Sequence, residues 1–169
     1  MQNPEICRKI RTLLYRAELN VLVCEKIQLH LGEKFPYAPA EYFLVLCNNN
    51  AFNEAVSILD SLLGQNKTEV NLNKLGVQIP ELPDIRDDFS KNFADIRNKL
   101  ISHKDKSLQH DGSEHVWQLV HPNLIKKVSN IIQRLNTLVL MYFDTKYDPI
   151  NPFVLTLSGL HEIIDSLKT

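Results

Sequence analysis

The chain has 169 residues, the length of one domain, and 44% of them are apolar, enough to build a core. Glycine (5) and proline (8) are too sparse for a low-complexity or disordered chain. Lys and Arg (19) nearly balance Asp and Glu (20), and the net charge of −1 excludes a general nucleic-acid coat protein while leaving room for a local basic patch.

No apolar run reaches the ~18 residues of a membrane span. The opening Met1-Gln2-Asn3-Pro4-Glu5 lacks the charged-then-apolar order of a signal peptide. The expectation is a soluble, cytoplasmic domain with no membrane partner.

Asn3 suits an N-cap and Pro4 the first position of a helix. From there Ile6, Ile10, Leu13, Ala17, Val21 and Cys24 recur at helical steps, and Gly32 supplies a left-handed stop. After a loop over 32–39, a second helix is predicted from near Pro39 to Gly64. Its first apolar patch is Tyr42, Phe43 and Leu46, and its second is Ala55, Ile58, Leu59 and Leu62. Asn48-Asn49-Asn50 lies between them and predicts a break or kink, because asparagine side chains compete for backbone groups.

Residues 65–82 are polar, with Val70, Leu72, Val77 and Ile79 in loose alternation, the pattern of a small hairpin. A third helix follows Pro83, with Ile85, Phe89, Phe93, Ile96 and Leu100 on one face. Residues 104–121 form a second long connection, turning at Asp111-Gly112. A fourth helix opens at Pro122 and carries Leu124, Val128, Ile131, Ile132, Leu135 and Val139. Asn151-Pro152 opens a fifth, with Val154, Leu157, Leu160 and Ile164. The fold class predicted is all-α: a single-domain bundle of about five helices over residues 1–169. The two long connections flank the third helix and draw attention to it.

Cys7, Cys24 and Cys47 are odd in number and widely spaced, so they read as small apolar residues on helix faces, without disulfides. His110, His115 and His121 cluster in sequence but match no zinc-ligand spacing. No Gly-rich phosphate loop is present. Neither a metal nor a cofactor is expected.

The third helix ends Asp95-Ile96-Arg97-Asn98-Lys99-Leu100-Ile101-Ser102-His103-Lys104-Asp105. With Ile96 at zero on the helical wheel, Arg97 falls near 100° and His103, if the helix persists so far, at about −20°. The two are about 9 Å apart along the axis. The plain interpretation gives Arg97 an acidic neighbour and sets His103 against the carbonyl dipole at the helix end.

The whole string resembles the signature of the HEPN superfamily, the "higher eukaryotes and prokaryotes nucleotide-binding" helical domains. That signature is an Arg, four to six residues, then a His, often with a polar residue after the Arg. Here five residues intervene and Asn98 follows Arg97. The wording from Arg97 to Asp105 is most similar to the abortive-infection branch. The sharp part of the likeness covers nine residues, and the rest is a small helical bundle with the motif late in a central helix.

The resemblance implies a metal-independent endoribonuclease acting as a homodimer on RNA, with Arg97, Asn98 and His103 as the catalytic set. It also carries a toxin or phage-defence role and an antitoxin partner. The residue types suit the chemistry: His titrates near neutrality, and the planar fork of Arg fits a phosphate. One branch has a Tyr two residues after the His; Asp105 stands there in this chain. The alternative is a HEPN-like module without catalysis, used for dimerisation or binding.

Of the nearby cations, Lys104 and Lys106 are assigned to RNA because they adjoin His103. Arg86 and Lys91 are assigned to a solvated face, interleaved with Asp84, Asp87, Asp88 and Asp95. Trp117 is assigned to packing before base stacking.

Overall fold

The computed structural model describes residues 4–32, 39–64, 70–76, 78–106 and 119–142, and for 95 and 97–106 it describes the backbone alone. The described residues form α1 (Pro4–Leu31), α2 (Pro39–Leu63), a short 3-10 turn (Leu72–Leu75), α3 (Leu82–Lys106) and α4 (Pro122–Tyr142). There is no strand among them. The all-α bundle is therefore observed with four helices. The predicted fifth, with Val154, Leu157, Leu160 and Ile164, and the Asn3 cap lie outside the described residues.

Successive helices run in opposite directions. Arg16 on α1 pairs with Glu54 on α2, and farther along α1 the Cys24 thiol donates to the Asn48 carbonyl at 3.3 Å. Arg86 near the start of α3 bonds the Leu63 carbonyl at the end of α2, whereas Phe93 meets Phe52. Asp88 and Asn92 of α3 bond Arg134 and Lys127 of α4, again in reversed order. The ring closes where Arg11 and Tyr15 of α1 border a cavity of about 200 Å³ with Asn136 and Val139 of α4. This is an up-down-up-down bundle. The upper end, as termed below, holds the C-termini of α1 and α3 and the N-termini of α2 and α4.

Sequence sets most helix ends. Gly32, at φ 61°, terminates α1 and donates its N–H to the Gln28 carbonyl at 2.8 Å. Gly64 closes α2 by the same kind of bond to Asp60, and a Cβ there would meet that carbonyl oxygen at 2.8 Å. α4 opens at Pro122, where His121 acts as the cap: its Nδ1 accepts the Asn123 N–H at 3.2 Å.

The faces follow the predicted period, with two corrections. On α1 the buried apolar positions are Cys7, Ile10, Leu14, Ala17, Val21, Cys24, Ile27 and Leu31, with Arg11 buried beside them, while Ile6 and Leu13 pack at the margin. α2 does not break at its three asparagines; it is helical throughout. That continuity sets the phase of its first half. Leu44 and Val45 are buried, whereas Phe43, assigned from sequence to the first apolar patch, is 62% exposed. The second correction lies in the 65–82 stretch. Among its described residues, 70–76 and 78–82, there is no hairpin; Leu72 and Leu75 enter the core from the 3-10 turn, which ends at Gly76 with φ 67°.

The main core joins all four helices. Phe93 is wholly buried, 5.4 Å from Phe89 and 6.4 Å from Phe52 between ring centroids, amid Leu59, Ile85, Ile131 and Leu135. A second, smaller cluster of Ile27, Leu31, Leu44 and Val45 occupies the upper end of α1 and α2, with Leu119 packed against it. Cys7 and Cys24 are buried and Cys47 is half-buried, as expected of small apolar residues. No helix among the described residues is long and apolar enough to cross a membrane.

Candidate functional site

The Arg97–His103 string lies on α3. The helix continues through all of it and is described as far as Lys106, so 104–106, assigned from sequence to the following connection, belong to the helix. His103 therefore stands on the same continuous helix as Arg97. At 1.5 Å and 100° per residue, positions 97 and 103 are about 9 Å apart along the axis and about 120° apart around it. Position 104 falls within about 20° of position 97, two turns on, so these two share a stripe. Position 106 lies half a turn away from it. Lys104 and Lys106 occupy the last described turn of α3.

The helix below the string is firmly seated. Ile85, Phe89 and Phe93 are buried, and Ile96, the residue before Arg97, packs at the margin of the main core. Counting up from Phe93 opposite Phe52, the turn containing Arg97 comes about level with Asn48 of α2. Counting from Asn92 opposite Lys127, it comes about level with Pro122, the first residue of α4 and two residues past Val120.

The sequence reading overlooked what sits at that level. Asn48 is wholly buried. Its Nδ2 donates to the Cys24 carbonyl at 3.2 Å, and its Oδ1 accepts the Val120 N–H at 3.0 Å. Gln28 donates from Nε2 to the Val120 carbonyl. Two carboxamides, one from α1 and one from α2, thus hold both peptide groups of one residue. A signal existed: Asn48 lies four residues before Phe52 and four after Leu44, inside the apolar stripe.

Of the other cations, Lys91 is exposed, as assigned. Arg86 is not simply solvated. Its Nε donates to the Leu63 carbonyl at 2.7 Å and its Nη2 to Asn73 Oδ1 at 2.6 Å, so it fastens α3 to the end of α2 and to the 3-10 turn. Burial lowers its pKa. Of the three clustered histidines, His121 serves the α4 cap, while His110 and His115 lie outside the described residues, as does Trp117. Among the described residues no three His, Cys, Asp or Glu side chains gather as metal ligands would.

Comparison of the chain with family models, curated proteins and solved structures yields no match.

Proposed function

We propose that the chain is a metal-independent endoribonuclease of HEPN type, with Arg97, Asn98 and His103 as its catalytic residues and Lys104 and Lys106 as contacts to the RNA backbone. The observation supporting this reading is the unbroken course of α3 from Leu82 to Lys106, which keeps the whole string on one helix at the end of an antiparallel bundle.

In the proposed reaction the 2′-oxygen of the RNA attacks the adjacent phosphorus. One His103 takes the proton from that hydroxyl, and the P–O5′ bond breaks. The leaving oxygen takes a proton from the second protomer's His103. The products are a 2′,3′-cyclic phosphate and a 5′-hydroxyl end. Arg97 neutralises the phosphate as charge builds on it, and Asn98 orients it. One string holds a single His, so the acid–base pair requires an isologous homodimer. A toxin or phage-defence role, with an antitoxin partner, belongs to the same proposal.

The test uses the purified chain on single-stranded RNA with EDTA present. The expected outcome is cleavage to cyclic-phosphate ends, with DNA spared because it lacks the 2′-hydroxyl. His103→Ala should slow cleavage by ~10²–10⁴ while helix content is retained. Arg97→Lys should restore little of what Arg97→Ala loses, since a point charge lacks the fork. A folded dimer inactive on structured and unstructured RNAs would overturn the enzyme and leave the dimerisation or binding module.

A further inference from the structure

We propose that Asn48 and Gln28 are positioning residues for the candidate site: by holding Val120, they set the turn of α3 that carries Arg97. The inference rests on the functional reading above for what is positioned, but the coupling itself stands on the hydrogen bonds to Val120 and on the shared level of Asn48 and Arg97 in the bundle.

The first observation is the cost of Asn48. Every other buried side chain of α2 is apolar, and Asn48 has no exposure at all. A buried carboxamide destabilises a core unless its hydrogen bonds are made. Here they are made outside the helix, to the Cys24 carbonyl of α1 and to the N–H of Val120. The reward for this polar group is thus a fixed location for Val120.

The second observation is that Val120 is gripped on both sides. Gln28, one turn beyond Cys24 on α1, bonds the carbonyl of the same residue. The grip is directional and specific to one residue, as a neighbouring strand would be. It fixes the height at which the chain enters α4, two residues before Pro122.

The third observation links Val120 to α3. Val120 and Ile96 both pack at the margin of the main core, and Arg97 directly follows Ile96. By helical rise the turn of Arg97 is level with Asn48, and Val120 is set at that level by its bond to Asn48. Beyond that section α3 continues for nine more residues, to Lys106. Among the described residues, Val120 is thus an anchored position at the level where α3 begins the stretch carrying the string.

The experiment is site-resolved amide hydrogen exchange on the full chain, with RNA cleavage kinetics beside it. Gln28→Met keeps the length of a half-buried side chain and removes its donor; Asn48→Leu removes both functions of the amide. In either variant, exchange should quicken about tenfold at Val120 and over 97–103, the worth of one hydrogen bond, while 85–93 keep their rates. Cleavage should lose kcat, with KM unchanged within about twofold. Uniform quickening in all four helices would make the residues merely structural and overturn the proposal. So would quickening at Val120 with 97–103 unaffected. If Asn48→Leu does not fold, Gln28→Met decides alone. If the wild type cleaves no RNA, the exchange pattern still decides the coupling, and only the ribonuclease reading falls.

Discussion

The lower half of the bundle and its upper end are held together by different physics. Below, Phe52, Phe89 and Phe93 share one buried cluster with Leu59, Ile85 and Leu135, and the ion pair of Asp88 with Arg134 lies at the rim. Above, the apolar cluster shrinks to four buried residues, and the segment leading into α4 is placed by the amides of Asn48 and Gln28. Apolar burial scales with area and has little directional preference. A hydrogen bond specifies one donor and one acceptor. The candidate site thus lies at the end where position is specified more by direction than by bulk.

The sharpest test of that contrast is truncation. Phe93→Ala should lower unfolding free energy by ~3–5 kcal/mol in urea titration, the range for a buried aromatic. Leu31→Ala, in the small upper cluster, should cost nearer ~2 kcal/mol. Equal losses would erase the distinction between the halves.

An alkaline titration probes the seam between them. Burial, more than the nearby Glu25, pushes the Cys24 thiol up to about 12 from an ordinary value of 9.0. Between those values the folded chain keeps a proton that the unfolded chain has released. Stability therefore holds below about pH 9 and falls as pH rises toward 12, by up to ~1.4 kcal/mol per pH unit for this one group. Burial raises Cys7 and Cys47 as well, so they add to the slope in the same direction. Cys24→Ala should flatten part of that decline in denaturation midpoints measured from pH 8 to 11. An unchanged slope would show that the thiol is not sealed where α1 meets Asn48.

The smallest effect is expected at the rim. Asp88→Asn weakens a 2.9 Å pair with Arg134 whose side chains are 37% and 40% exposed. The cost should stay below ~1 kcal/mol, and 0.5 M salt should reduce it further. A larger loss would mean that this rim pair carries more of the lower half's stability than an exposed ion pair should.

Much of this architecture was legible in the sequence because its signals are local. Pro39 and Pro122 open helices, Gly32 stops one, and Ile85, Phe89 and Phe93 face the core. The departures arise where a distant partner outweighs local preference. Three asparagines disfavour a helix in isolation, yet α2 continues through them because Asn48 finds acceptors and donors on two other segments. Phe43 was misplaced for the same reason, since an intact helix turns it outward. The course of Arg97 to His103 along α3 was legible as a spacing. The anchoring of Val120 was not, because it pairs residues 72 and 92 positions apart.

The antiparallel pairing of α1 with α2 also bears on how the chain folds. These neighbours in sequence are joined by a short connection and share the thiol, amide and ion-pair contacts of Cys24, Asn48 and Arg16 with Glu54. Contacts between adjacent helices close small loops, and topologies rich in them fold quickly. On a ribosome adding residues at ~5–20 per second, this pair emerges well before α3 and has time to form as a hairpin. The amide of Asn48 would then await the Val120 peptide from a later part of the chain, so the upper end closes last.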